Sequence, residues 1–383
     1  MPFSNILFLV RKVALLYPYN LKNKMSKLLS EYQKDTFKLK NHLVMAPMTR
    51  SRAIGNLPNE LMVQYYAQRA GAGLIVTEGT APAPEGLGYA RIPGIFSDAQ
   101  TEAWRQIAEV VHAQGSRIFM QLMHTGRIAH VHNLPADTRV IGVSDMTAAG
   151  QMWTDQEGML DHSAPEALTT QGVKTVIDEF VKAAENAVKA GFDGIELHNA
   201  NGYLLEQFLN PNVNNRTDEY GGSVENRSRA VLEIVEKTSA AIGKEKVGIR
   251  FSPFGTYNDL QPYDAAEVRR TYEYLATRLN SLGIAYIHIS LTPDLDAGTL
   301  QIIRRQFSGT IILCNGFTPD TAETALGEGI ADLIAFGQPF LANPDLVTRI
   351  ETGAALNAPD YNTFYTPGEA GYIDYPSLVM ADK

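Results

Sequence analysis

The chain has 383 residues, 45% of them hydrophobic and 20% charged, enough for a large core in one barrel-sized domain or two smaller ones. Its formal net charge of -9 argues against nucleic acid or an anionic membrane as the main partner. The single cysteine, Cys314, excludes an internal disulfide and makes a reducing, cytoplasmic setting the expectation. Its neighbours Ile311, Ile312 and Leu313 read as a strand that buries the thiol as an apolar filler.

Residues 1–24 differ from the rest. Ile6–Val10 and Val13–Leu16 are apolar, but Arg11 and Lys12 split them, so neither run approaches the about 20 residues that a membrane span needs. The basic pair lies within the apolar run, not before it, which is the wrong order for a secretory signal. These residues read as an N-terminal extension outside the fold, with 25–383 forming one folded domain.

From residue 42, short β-rich runs alternate with helical stretches. Strands are expected at His42–Ala46, Leu74–Thr77, Arg117–Leu122, Gly194–His198, Val247–Phe251, Ile284–Ser290, Thr310–Cys314 and Ala331–Phe336. Helices are expected at Leu57–Ala70, Ala99–Gln114, Val173–Ala190, Ser223–Ile242, Asp264–Leu282, Leu300–Phe307 and Pro319–Glu328, several closed by glycine: Gly115, Gly191, Gly283 and Gly329. The third strand is followed by a long excursion, roughly His124 to Leu168, of a length that marks a functional lid; Val140–Val143 and Met152–Leu160 are candidates to pair in it as a hairpin. No Gly-x-Gly-x-x-Gly turn follows the first strand, which disfavours a Rossmann sheet. The fold class is therefore α/β, a single (β/α)8 TIM barrel with a long excursion after strand three and a C-terminal tail.

Active sites of such barrels lie at the C-terminal strand ends. Here those ends carry Pro47-Met48-Thr49, Glu78-Gly79-Thr80, Gln121-Leu122-Met123-His124, His198-Asn199-Ala200-Asn201, Arg250-Phe251-Ser252, Ser290, Asn315-Gly316 and Gly337-Gln338. Amide, guanidinium and hydroxyl groups dominate, as suits a large hydrogen-bonding ring system, not paired-carboxylate hydrolysis. No strand-end lysine is present for Schiff-base chemistry. His124, His130 and His132 lie close in sequence, but no strand-end acid completes a ligand set, so no metal is expected. Asn315-Gly316 and Gly337-Gln338 read either as a phosphate grip or as ordinary strand-to-helix turns. In Gly194–His198, alternation puts Gly194, Glu196 and His198 on one face and Ile195 and Leu197 on the other. Whether His198 and Asn201 form one hydrogen-bonding pair, or His198 is a buried histidine bonded to a barrel neighbour, is open at this level.

Several ordered motifs then carry a resemblance: Ala46-Pro47-Met48-Thr49-Arg50, Gln121 to Arg127, His198 to Leu204, Asn214 to Gly222, Phe336-Gly337 with Ala342 to Leu346, and Gly371 to Pro376. Over about Lys27 to Leu378 the chain resembles the Old Yellow Enzyme family of FMN-dependent ene-reductases. The resemblance implies noncovalent FMN held by Pro47, Met48, Thr49, Gly79, Gln121, Arg250, Asn315, Gly316, Gly337 and Gln338. Thr49 would face the flavin C4 carbonyl, Gln121 the pyrimidine edge, Arg250 the N1/C2 region, and Gly79 would leave room beside the ring. It implies NADPH as hydride donor, with NADH possible, and a small activated alkene or nitro compound as substrate. His198 and Asn201 would hold the substrate oxygen, and Tyr203 would donate a proton to the α-carbon. Tyr89, Met123 and Tyr365 would line the substrate pocket, and the protein would be a monomer or homodimer. Alternatives are a nitrate-ester or nitro-compound reductase or a specialised flavoenzyme of the same fold and, third, a flavin-binding protein with impaired turnover.

Two departures from the family pattern matter. Met123 stands where the family usually has Trp, implying a roomier pocket. Gln338 stands where the family usually has a phosphate-facing Arg, implying weaker FMN retention.

Overall fold

The computed structural model describes residues 26–35 and 37–378, so the expected N-terminal extension at 1–24 lies outside the described residues. The described chain opens with an antiparallel pair, β1 (Tyr32–Lys34) and β2 (Phe37–Leu39), in the register Tyr32↔Leu39. Eight parallel strands then close into a barrel: β3 (Leu43–Met45), β4 (Leu74–Val76), β5 (Arg117–Leu122), β10 (Gly194–Asn199), β11 (Val247–Phe251), β12 (Tyr286–Ser290), β13 (Thr310–Cys314) and β14 (Leu333–Phe336), with β14 pairing back onto β3. The expected strands correspond one for one to this barrel.

The helices are α1 (Glu60–Gln68), α2 (Asp98–His112), α3 (Thr170–Lys189), α4 (Leu204–Leu209), α5 (Val224–Ile242), α6 (Ala265–Leu282), α7 (Ala297–Gln306), α8 (Pro319–Gly327), α9 (Gln338–Ala342) and α10 (Leu346–Thr352). Their starts follow local chemistry. Asn59, Ser97, Thr169, Ser223, Asp264, Asp296 and Thr318 each accept a first-turn N–H through the side chain, satisfying donors the helix itself leaves orphaned. In α3 the stripe Val173, Val176, Ile177, Phe180 and Ala184 is buried against the barrel, each large apolar side chain contributing about 1.5–3 kcal/mol relative to exposure.

Alternation divides each strand between two layers. Ile195, Leu197, Ile249, Phe251, Ile287 and Ile289 point outward into the helix-facing core. Val44, Leu74, Val76, Phe119, Tyr286, Ile312 and Leu333 point inward, where Tyr32, Phe37 and Leu39 of the β1–β2 pair plug the lower end. The Phe37 and Tyr286 rings stack there with centroids 6.2 Å apart. Gly248 has no side chain because a Cβ would collide with the Tyr286 ring. The plug is absent from the sequence-based expectation: its strands are too short to show a period.

The excursion between β5 and α3 departs from the expected pairing. Gln151–Thr154 (β7) and Gly158–Asp161 (β8) form the antiparallel hairpin, whereas Ile141–Gly142 (β6) pairs in parallel with Glu166–Ala167 (β9). The segments around Val140 and Met152 are therefore not partners. Thr154 Oγ1 donates to the Gly158 carbonyl at 3.0 Å and accepts from the Glu157 N–H at 3.2 Å, closing β7–β8 locally at lower chain-entropy cost than the long-range alternative. At the other end of the chain, buried Arg50 and Arg52 tie down the C-terminal segment. Arg50 Nη2 donates to the Gly371 carbonyl at 2.7 Å, and Arg52 donates to those of Phe364 at 2.7 Å and Thr363 at 2.8 Å. This folds residues 361–376 back over the strand ends.

No described helix is long and apolar enough to cross a membrane.

Candidate active site

Strand alternation brings Gln121, Glu196, His198, Arg250, His288 and Cys314 into the barrel interior, where register places His198 beside Arg250 and Arg250 beside His288. All are buried. His288 Nδ1 meets Glu196 Oε2 at 2.8 Å, and Gln121 Nε2 donates to Glu196 Oε1 at 2.8 Å. Burial alone would raise Glu196 and lower His288, but each outweighs that for the other: the carboxyl ends below its ordinary value and the imidazole above it. Their attraction favours the charged form of each partner, and Arg250 lies beside them without a carboxylate hydrogen-bonded to it. Its Nη2 approaches only Cys314 Sγ, at 3.8 Å, and its buried Nε has no partner.

His198 lies one residue before the end of β10. Burial first, then the Arg250 and His288 charges, hold it well below its ordinary pKa, so it is a neutral imidazole at pH 7. Its Nδ1 is buried without a partner. Asn201 follows in a left-handed conformation, φ 57°, and Tyr203 is the N-cap of α4. His198 and Asn201 make no hydrogen bond to each other; they are neighbours of one turn, not a bonded pair. The His198 and Tyr203 rings meet edge-on at 5.0 Å, and Tyr203 donates to the Tyr89 hydroxyl at 3.1 Å. Burial raises both phenols, so each carries its proton at neutral pH. Ile128, Ala148 and Met152 of the excursion pack on Tyr89 and Tyr203, which are partly buried.

The other expected residues lie around this centre. Pro47, Met48 and Thr49 are half-buried at the end of β3. Met123 is buried with Ala81, Leu87 and Ile92, and its thioether fills the space beside Gly79, so the room expected there is occupied by this side chain. Asn315 and Gly316 have φ of 81° and 76°, and Asn315 Nδ2 donates to Ser290 Oγ at 2.8 Å. A Cβ on Gly337 would make ordinary contact with Met48, whose sulfur lies 3.5 Å away. Gln338 is exposed and accepts from the Tyr361 hydroxyl at 3.2 Å. Tyr365 stands on the rim, 62% exposed, its carbonyl accepting from Arg91 Nη2 at 2.9 Å. Sequence reasoning missed the Glu196–His288 pair and the Asn258 amide that donates to the Asn201 carbonyl at 2.7 Å. Glu196 was legible as a polar residue on the interior face; its partner, 92 residues away, was not.

The arrangement fits a flavin. A buried guanidinium with an unmet donor suits the electron-rich pyrimidine edge, and the successive left-handed residues at 315–316, with Gly337 carrying no side chain, suit backbone contact to a phosphate. Among the described residues no cluster of three or more His, Cys, Asp or Glu could hold a metal ion.

Comparison with known proteins agrees. Residues 33–357 match the model of the NADH:flavin oxidoreductase / NADH oxidase family. The chain is 40% identical to 12-oxophytodienoate reductase 1 of Oryza sativa subsp. japonica, covering 93% of this chain and 94% of that one. It is 37% identical to 12-oxophytodienoate reductase 2 of Arabidopsis thaliana, covering 92% and 96%. Among solved structures, morphinone reductase superposes with a TM-score of 0.87 at 39% identity over 93% and 98% of the two chains. The Old Yellow Enzyme homologue from Zymomonas mobilis does so with a TM-score of 0.87 at 38% identity over 92% and 100%. The chain belongs to the NADH:flavin oxidoreductase / NADH oxidase family and is an FMN-dependent oxidoreductase of Old Yellow Enzyme type.

Proposed function

We propose that this enzyme reduces activated C=C bonds of enones, maleimides and nitroalkenes at the expense of NADPH or NADH. The observation that carries the reading is the convergence of three differently tuned groups at one strand end: neutral His198, the Asn201 turn and proton-bearing Tyr203. The relatives named for reducing 12-oxophytodienoate and morphinone, and a morphinone reductase solved with tetrahydroNAD, support both the substrate class and the nicotinamide donor.

FMN, when bound, supplies hydride transfer from the nicotinamide to the alkene β-carbon through N5. The residues do the rest. His198 and Asn201 donate to the carbonyl or nitro oxygen and polarise the alkene; a neutral imidazole can do this without burying a further cation beside Arg250 and His288. Tyr203 gives a proton to the α-carbon, and Tyr89 orients its hydroxyl. Arg250 and Gln121 hold the pyrimidine edge, Thr49 the C4 carbonyl, and Asn315, Gly316, Gly337 and Gln338 the phosphate. Tyr89, Met123 and Tyr365 shape the substrate pocket.

The test is anaerobic. Yellow protein that bleaches with NADPH or NADH and regains its colour on adding 2-cyclohexenone or N-ethylmaleimide is the reductase. Recovery only with a nitrate ester would point to that alternative substrate class, and protein that bleaches but recovers with none of these would sink the proposal.

A further inference from the structure

The turn that carries Asn201 rests on a buried carboxylate. Asn201 and Gly202 are both left-handed, at φ 57° and 79°, and a Cβ on Gly202 would strike the Tyr257 carbonyl. Two consecutive residues in that region are costly unless their surroundings hold them there. The Gly202 N–H donates to Glu206 Oε2 at 2.7 Å. The Asn201 N–H donates to Ser252 Oγ at 2.8 Å, and Ser252 in turn donates to Glu206 Oε1 at 2.7 Å. The Tyr272 hydroxyl donates to the same oxygen at 3.2 Å. Glu206, Ser252 and Tyr272 are all buried.

Burial pushes Glu206 up to about 7, while every group aimed at it is a donor, an arrangement that favours the carboxylate, which accepts from all of them at once. Glu206 thus receives one turn N–H directly and the other through Ser252. From the third position of α4 it reaches back beyond the N-cap, which is Tyr203 itself. The same side chain therefore ties the turn that presents Asn201 to the helix start that presents Tyr203. Behind it lies a cavity of about 150 Å3, lined by Glu206, Leu209, Phe254, Tyr263, Tyr272 and Asp294.

We propose that Glu206 is a positioning residue for Asn201: through Gly202 and Ser252 it fixes the left-handed turn from which the Asn201 amide meets the substrate oxygen. The inference rests on the reading of Asn201 as a substrate contact. A carboxylate that merely capped α4 would alter stability and leave ligand affinity of the folded holoenzyme unchanged.

The experiment uses the FMN-loaded enzyme and cyclohexanone, an unreactive carbonyl ligand, titrated by calorimetry alongside kcat and KM for 2-cyclohexenone. Losing a hydrogen bond to a charged group predicts about tenfold weaker cyclohexanone binding in Glu206→Ala, with kcat/KM falling in parallel and the visible flavin spectrum retained. Formate, small enough for the enlarged cavity, restores binding in Glu206→Ala. In an Asn201→Ala background, Glu206→Ala has no further effect, as expected when one residue acts through the other. Ser252→Ala, which cuts the Asn201 arm alone, weakens binding several-fold and carries the test if Glu206→Ala does not fold. Wild-type affinity in both Glu206→Ala and Ser252→Ala, with Asn201→Ala impaired, overturns the positioning role alone. Wild-type affinity in Asn201→Ala overturns the reading of Asn201 and the inference with it.

Discussion

The Glu196→Leu substitution tests whether the buried ion pair organises the barrel interior. Glu196 and His288 are wholly inaccessible, 2.8 Å apart, and Gln121 depends on the same carboxylate. Leucine is close in volume but accepts nothing, so it strands the His288 ring and the Gln121 amide together. Removing one partner of a buried pair costs about 3–5 kcal/mol, or roughly 4–6 °C in melting temperature for a protein of this size. Glu196→Gln is the informative control. Its carbonyl still accepts from Gln121, and its amide can donate to Nδ1 of a neutral His288 with the proton on Nε2, so its cost falls to about 1 kcal/mol. The pH dependence separates charge from shape. His288 is raised, so its contribution is full below about 6.5 and is lost as pH rises through its elevated value. Glu196 is depressed, so its contribution is present above about 4.5 and is lost as pH falls through its lowered value. The deficit of Glu196→Leu in urea unfolding is therefore largest between about pH 4.5 and 6.5 and shrinks toward both extremes. A deficit below about 1 kcal/mol, or one that does not vary with pH, would refute the ionic assignment.

Gln338→Arg is expected to tighten FMN binding by about 10- to 150-fold, the equivalent of a charge-assisted contact of about 1.5–3 kcal/mol; equal dissociation constants in an apoprotein titration would show that the position does not face the phosphate. Tyr203→Phe is expected to slow alkene reduction by about 10²–10⁴-fold in a stopped-flow oxidative half-reaction, while losing one hydroxyl contact leaves the melting temperature within a few degrees; an unchanged rate with an enone excludes it as the essential acid. Burial, reinforced by Glu85, pushes Glu179 up to about 7. Because this folded-state value lies above the ordinary one, its contribution to stability is present below about 4.5 and is lost as pH rises through 7. Glu179→Gln is therefore expected to melt higher than wild type at pH 8 and alike at pH 4, by differential scanning fluorimetry; identical curves at pH 8 would contradict the raised value.

What the sequence determined by itself is the order of the barrel and the identity of the strand ends. Period-2 and period-3.6 patterns, Ser, Thr, Asp and Asn caps, and glycine stops such as Gly115 and Gly283 act within a few residues, so each element is legible where it stands. The polar face of Gly194–His198 was visible for the same reason. Tertiary structure alone decided what that face touches: Glu196 with His288, the hydroxyl of Tyr203 with Tyr89, and the Asn201–Gly202 turn with Ser252 and Glu206. The plug by Tyr32, Phe37 and Leu39, the β6–β9 pairing and the C-terminal segment held by Arg50 and Arg52 belong to the same class. Apart from the Gly202–Glu206 bond, each joins residues far apart in the chain, and its energy exists only after the barrel has closed and excluded water. No local pattern encodes it, because a polar residue facing the interior reads alike whether its partner is a cofactor, a substrate or another strand.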